Sequence, residues 1–377
     1  MKGVVILGST GSIGQQTLDV IQAFPQVLRV VGLAAGNNLE LLVSQARRFQ
    51  PQAVSCLGPF EECASLFPPG TTFTSLEELA THPEADIVMV ATTGKAGLQP
   101  TLAALQVGKA VALANKEVIV MAGELVTAWA RRFGTPLLPV DSEPSAIWQC
   151  LQGDKNPIRR ILLTASGGPF RTWTPEAVAK ATPEDALNHP TWRMGKKITV
   201  DSATLMNKAF EVTEIHWLFD VPWQKIEVVI HPQSIVHSMV EFADGSVKAQ
   251  MSPPDMRLPI QYALLHPSRL PNESLPRLDL TTPSALTFEP MDATRFPCFN
   301  LAREVGERGG TYPAALCGAD EVAVELFLQH GIGFADIHRV LEQVVERHES
   351  VAHPGLEEIL AADAWARDQV RELAKGV

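Results

Sequence analysis

Nowhere does this 377-residue sequence reach the ~18 consecutive apolar residues that a membrane-crossing helix needs, so no span is expected. Positive charge is in deficit as well. Lys and Arg number 31 against 42 Asp and Glu, leaving a net charge of −11. Such a field disfavours nucleic acid and anionic membrane surfaces, and any anionic ligand has to be held by local donors. Cysteine is scarce and scattered. Cys56, Cys63, Cys150, Cys298 and Cys317 are odd in number and show no metal-type pairing, which argues against a disulfide framework or a thiolate metal site. The opening MKGVVILGS has too short an apolar run for a secretory signal, and a reducing cytoplasm is the expected setting.

What is present is alternation. Short Val/Ile/Leu runs (VVILG, LRVVGLAAG, DIVMVATTG, KAVALAN, PLLPVD) are separated by amphipathic segments such as SIGQQTLDVIQAF and LELLVSQARRF. Continuous apolar runs suit strands buried on both faces, with crossover helices covering them. The pattern predicts an α/β fold that begins with a doubly wound, Rossmann-like domain over residues 1–141. An α+β catalytic domain is expected over 142–265, with IRRILLTAS and KIEVVIHP as strands and a hairpin turn at Asp244-Gly245. Prolines punctuate 266–297, predicting an extended connector. Helical periodicity with glycine stops predicts a C-terminal bundle over 298–377.

Gly8-Ser9-Thr10-Gly11-Ser12-Ile13-Gly14 follows the first strand and opens a helix. Glycines there permit a tight turn and close backbone approach, while helix N–H groups face a pyrophosphate. The second strand ends Gly36-Asn37-Asn38, without the acidic residue that holds a ribose 2′-hydroxyl, which favours NADP over NAD. By itself this signal also fits an NADP-dependent dehydrogenase of another phosphorylated sugar, or an NADP-binding protein without catalysis.

The fifth of these strands runs into Val140-Asp141-Ser142-Glu143. Extended backbone would point Asp141 and Glu143 to one side, where two carboxylates repel unless protonated or bridged by a cation. Helix capping is the alternative use of such residues. Read as one helix, DSATLMNKAFEVTE (201–214) sets Asn207, Lys208 and Glu211 on a common surface near Ser202 and Thr204, and Glu211 is a possible third oxygen ligand. Hard oxygen donors without a Cys or His cluster suit Mg²⁺ or Mn²⁺. Asn115-Lys116-Glu117 ends the fourth strand, and Ser166-Gly167-Gly168 offers a hydroxyl and free N–H groups. His189-Pro190-Thr191-Trp192-Arg193-Met194-Gly195 reads as a loop with apolar weight, either closing over a substrate or packing on its own domain. His231 and His237 read as core or supporting residues, and Cys150 as a buried structural thiol.

Taken together, GSTGSIG, NKE, VDSEPSAI, SGGPF, HPTWRMGKKITVDSATLMNKAFE and IHPQSIVHSMV resemble the 1-deoxy-D-xylulose 5-phosphate reductoisomerase family along the whole chain. That resemblance implies NADPH-dependent rearrangement and reduction of a phosphorylated sugar in non-mevalonate isoprenoid biosynthesis, and a homodimer. It implies Asp141, Glu143 and Glu211 as ligands of Mn²⁺ or Mg²⁺. Ser166, Ser202, Asn207 and Lys208 would form a phosphate pocket that His189 also contacts, with Ser142 and Lys116 at the reacting end of the substrate. Trp192 and Met194 would lie in a flap over it. NADPH would meet Thr10, Gly11, Ser12, Ile13, Gly36, Asn37, Asn38, Asn115, Glu117 and Gly195. The chain departs from the family pattern at Asn37, where a basic residue is common, at Pro144, and at Gly318-Ala319-Asp320-Glu321 in place of Ala-Ala-Asn-Glu.

Overall fold

The structure, a computed structural model, describes residues 1–57, 64–282 and 285–376; Cys63 lies outside them. Its contacts divide the chain into two compact units, neither continuous in sequence. The first comprises Met1–Val118, Val126–Ser145 and Asp255–Pro276, the second Ile119–Leu125, Ala146–Pro254 and Arg277–Val377.

The first unit is built on a parallel sheet of β1 (Lys2–Leu7), β2 (Leu28–Ala35), β3 (Ala53–Cys56), β4 (Thr72–Phe73), β5 (Ile87–Val90), β6 (Ala110–Leu113) and β7 (Leu137–Pro139). Their order is β4-β3-β2-β1-β5-β6-β7, so the winding reverses between β1 and β5. Ligands of open α/β sheets bind at that reversal, beyond the carboxyl ends of the strands. Two strands exceed the five expected. β3 is four residues and β4 two, too short to show an apolar period. The central strands are buried on both faces, as their unbroken Val/Ile/Leu runs require: Val4, Val5, Ile6, Leu7, Val88, Met89 and Val90 are all fully enclosed. Helix Leu39–Phe49 starts where the Asn38 side chain accepts from Leu41 N at 3.2 Å. Helix Arg257–Leu265 packs on helix Ser12–Ala23 and beside β6 and β7, and Lys2 Nζ donates to the carbonyls of Leu264 and His266. These residues therefore group with the sheet rather than with the segment before them in sequence.

The second unit holds a mixed sheet of β8 (Ile158–Ala165), β9 (Ile226–Ile230), β10 (Val236–Phe242), β11 (Val247–Met251) and β12 (Glu289–Pro290), ordered β11-β10-β8-β9-β12. β8 and β9 run parallel; β10 and β11 form the hairpin predicted at Asp244-Gly245, with Gly245 at φ 86°. β12 is a short strand within the expected connector. Helices Pro297–Arg308, Tyr312–Leu328, Phe334–Arg347 and Leu356–Leu373 form the C-terminal bundle. Phe299, Phe327, Leu341 and Ala366 are among its fully buried side chains.

Candidate active site

In the first unit, β1 leads through Gly8 into helix Ser12–Ala23. Gly8 sits at φ 91°, and a Cβ there would fall 2.4 Å from Ala91 O. A Cβ on Gly14 would lie 2.2 Å from Gly8 O, so the helix rests directly on its loop. No side chain caps this helix. Its first N–H groups are the partial positive charge that a pyrophosphate seeks, and Thr10, Gly11, Ser12 and Ile13 surround them. A further residue, without a sequence signature, supports the turn. Gln45 donates to Ser9 O at 2.8 Å and its Oε1 accepts from Ser9 Oγ at 2.7 Å, buried beneath the turn. A lone glutamine on a helix face carries no signal for that role.

Gly36, Asn37 and Asn38 follow β2 at the same edge of the sheet and are exposed. Asn115 follows β6 and is buried, its amide donating to Gly94 O at 2.9 Å and Thr92 Oγ1 at 3.2 Å. Helix Lys116–Phe133 starts there with Lys116 buried and Glu117 in its first turn, so this is not a surface helix start. Lys116 Nζ lies 2.5 Å from Asp141 Oδ2, just past β7.

Extended backbone does not carry Asp141 to Glu143. β7 ends at Pro139 and helix Ser142–Leu151 begins at Ser142, leaving Glu143 in its first turn. Capping-type bonds and clustered acids coexist here. Ser142 N donates to Asp141 Oδ1 at 2.9 Å, Ser142 Oγ donates to Glu143 Oε2 at 2.6 Å, and the two carboxylates present oxygens within 4.8 Å of one another. All the donors are hard oxygens, which fits a hard divalent cation held with one further carboxylate. Cys150, on the same helix, is enclosed, and burial pushes its thiol up to about 11, which leaves it protonated and inert.

In the second unit, β8 ends in Ala165 and turns through Gly167 (φ 86°) and Gly168 (φ 67°). A Cβ on Gly168 would fall 2.4 Å from Ser202 O, so glycine brings the turn onto helix Lys196–Thr204. Ser166 Oγ accepts from Gly168 N at 3.2 Å and meets His189 Nε2 at 3.1 Å. His189 Nδ1 accepts from Thr191 N and Trp192 N at 3.1 and 2.9 Å, which leaves the ring proton on Nε2 to donate to Ser166. Burial holds the His189 pKa below its ordinary value. Trp192 lies half-buried with its ring 6.2 Å from that of His237; Met194 is half-buried and Gly195 exposed at the head of helix Lys196–Thr204. His231 is structural: Nε2 accepts from Ile235 N and Val236 N while Nδ1 faces Thr287 O at 2.8 Å.

The stretch 201–214 is two helices, not one. Leu205, at φ 57°, ends helix Lys196–Thr204 and starts helix Met206–Phe219. Thr204 serves this junction, its Oγ1 accepting from Met206 N at 3.2 Å. Ser202 closes the first helix, and Asn207, Lys208 and Glu211 share the second. Asn207 Nδ2 donates to Glu211 Oε1 at 2.6 Å and Lys208 Nζ to Oε2, with Lys208 and Glu211 both buried.

Models of known families match in consecutive blocks: 1-deoxy-D-xylulose 5-phosphate reductoisomerase over residues 4–123, its C-terminal domain over 137–219, and a DXP reductoisomerase C-terminal domain over 251–369. A 1-deoxy-D-xylulose 5-phosphate reductoisomerase of Pelotomaculum thermopropionicum is 55% identical across 98% of this chain and 97% of its own. The chain belongs to the 1-deoxy-D-xylulose 5-phosphate reductoisomerase family. A family member from Synechococcus is 51% identical over 100% of this chain and 98% of its own. Among solved structures, the reductoisomerase of Zymomonas mobilis in complex with NADPH superposes with a TM-score of 0.92 at 41% identity, covering 100% of both chains. A DOX-P reductoisomerase in complex with NADPH, fosmidomycin and magnesium gives 0.92 at 37% identity, over 100% of this chain and 98% of that one. Among the described residues no helix is long and apolar enough to cross a membrane.

Proposed function

We propose that this chain catalyses the NADPH- and divalent-cation-dependent rearrangement and reduction of 1-deoxy-D-xylulose 5-phosphate to 2-C-methyl-D-erythritol 4-phosphate, in non-mevalonate isoprenoid biosynthesis. The observation that carries this is helix Met206–Phe219, which sets two phosphate-type donors, Asn207 and Lys208, against the carboxylate of Glu211. A substrate with a phosphate at one end and chelating oxygens at the other requires that pairing. Relatives of known name, identical at half of their positions or more over full length, support the same reading.

Each group has a role. Asp141, Glu143 and Glu211 hold Mn²⁺ or Mg²⁺, which when bound supplies Lewis-acid polarisation of carbonyl and hydroxyl oxygens. Ser166, Ser202, Asn207 and Lys208 grip the phosphate, and His189, neutral and bonded to Ser166, orients that hydroxyl. Binding energy gathered at the phosphate positions the carbons that react. Trp192 and Met194 cover the substrate and exclude water. Ser142 and Lys116 meet its reacting end, and the buried Lys116 ammonium beside Asp141 is a group able to hold or give up a proton there. NADPH, the source of hydride, lies along Thr10, Gly11, Ser12, Ile13, Gly36, Asn37, Asn38, Asn115 and Glu117, with Gly195 completing the set. The chain works in the cytoplasm as a homodimer.

The test is NADPH oxidation with 1-deoxy-D-xylulose 5-phosphate, with Mn²⁺ and with EDTA, and identification of the product. Metal-dependent formation of the methylerythritol phosphate is expected. Folded, metal-loaded protein that binds NADPH without turnover would overturn the assignment.

A further inference from the structure

Helix Lys196–Thr204 joins two parts of the proposed site: it follows directly on the loop bearing Trp192 and Met194, and it ends at Ser202. Something has to hold it. At its first turn Thr199 N and Oγ1 bond back to Gly195 O, at 3.1 and 2.8 Å. A second tie reaches out of the helix altogether. Lys197 Nζ lies 2.6 Å from Asp201 Oδ2, one turn on, and 2.8 Å from Asp320 Oδ2, on helix Tyr312–Leu328 of the C-terminal bundle. Both carboxylates are almost fully enclosed, with side chains 3% and 1% exposed, while the lysine is 26% exposed. The ammonium also stands 5.2 Å over the ring of Phe210, and burial raises the Cys298 thiol, with Asp320 and Asp201 adding to that rise.

Two enclosed carboxylates brought together repel, and the cation between them fixes their spacing. Removing one member of such a group leaves an uncompensated buried charge and frees the others to move. We propose that Lys197, Asp201 and Asp320 form a positioning clamp. It anchors the C-terminal root of the 189–195 loop and the Ser202 end of the phosphate pocket to the bundle, so that binding of the substrate phosphate depends on it. None of the three touches the substrate in this scheme; they act through Ser202 and the loop. The inference rests on the reaction proposed above and adds a specificity for phosphate that the bundle itself maintains.

The experiment compares Asp320→Asn, Asp320→Ala and Lys197→Met in steady-state kinetics, with NADPH affinity and thermal melting measured on each. Asparagine keeps an oxygen for Lys197, so its KM for 1-deoxy-D-xylulose 5-phosphate should stay near that of the parent. Asp320→Ala and Lys197→Met should raise that KM about tenfold, with kcat and NADPH affinity changed much less. If either single variant fails to fold, the double variant Lys197→Met/Asp320→Ala, which keeps the parent's net charge, takes its place. Combining the two changes should add little, because they break one unit. A folded Asp320→Ala protein with the parent's KM, or Asp320→Asn as impaired as Asp320→Ala, overturns the clamp. Failure of the unmodified protein to turn over substrate would instead strike the reaction itself.

Discussion

Asn207 donates to Glu211 at 2.6 Å from one helical turn away, occupying one carboxylate oxygen while Lys208 takes the other. A carboxylate so held is oriented, with both of its oxygens engaged. Its two partners are the residues proposed to meet the phosphate. Under the proposed roles, substrate grip and cation grip share a single helix turn, and a change in one is felt by the other.

Glu211→Gln keeps the shape and removes the charge. Metal-dependent turnover should fall roughly 100-fold or more, with NADPH binding retained. Titration of Mn²⁺ into the variant checks the assignment, and an affinity equal to the parent's would refute it.

Lys208→Ala removes a charged donor from the proposed phosphate pocket and a partner from Glu211. A contact of this kind contributes about 1.5–3 kcal/mol, so KM should rise roughly 10- to 100-fold. A KM that does not move would place Lys208 outside the pocket.

Gly14→Ala tests the nucleotide loop. The added methyl would lie 2.2 Å from Gly8 O and 2.5 Å from the Ser9 Cα, both backbone, so loop and helix must part. Destabilisation of about 1–3 kcal/mol is expected, with loss of NADPH affinity greater than the loss of fold. Melting temperature and NADPH titration measured together separate the two.

Acid should act through His189. Its folded pKa is lowered by burial from the ordinary 6.5, so below pH 6.5 the unfolded chain takes up a proton that the folded chain refuses. Stability is therefore lost as pH falls from 6.5 toward the lower folded value. His189→Gln should flatten this part of the stability–pH curve in denaturant melts. An unchanged slope would show that other groups govern it.

Asn37→Asp places an acid at the end of β2, where a ribose 2′-hydroxyl is held in NAD enzymes. The ratio of NADPH to NADH efficiency should fall; an unaltered ratio would move phosphate selection elsewhere.

Much of this architecture is written locally. The β1–glycine–helix unit, the hairpin at Gly245 and the C-terminal helices follow from runs of residue types, and the structure places them where those runs lie. Other features lack a local signature. β3 and β4 are too short for a period to emerge. The break at Leu205 puts a branched, non-glycine residue at positive φ, which no residue preference announces. Glu143 enters a helix that begins at Ser142, directly after β7, where Ser142 N is bonded to the Asp141 carboxylate. Ser9 with Gln45, and Lys197 with Asp320, are pairings across long stretches of chain, and each residue alone looks like an ordinary surface polar group. Motif resemblance named the chemistry; it did not name what holds the chemistry in place.

Helix Arg257–Leu265 and the residues through Pro276 belong to the first unit, and this sets an order of events during synthesis. The nucleotide-binding sheet is made first, yet the partner of helix Ser12–Ala23 and the carbonyls that receive Lys2 arrive only after residue 266 has been translated. Through that interval the early helix has β1 and β2 against it but lacks its packing on helix Arg257–Leu265, so part of its apolar surface stays uncovered and open to association. A gene cut after the last strand of this sheet would yield a fragment lacking its own final wall.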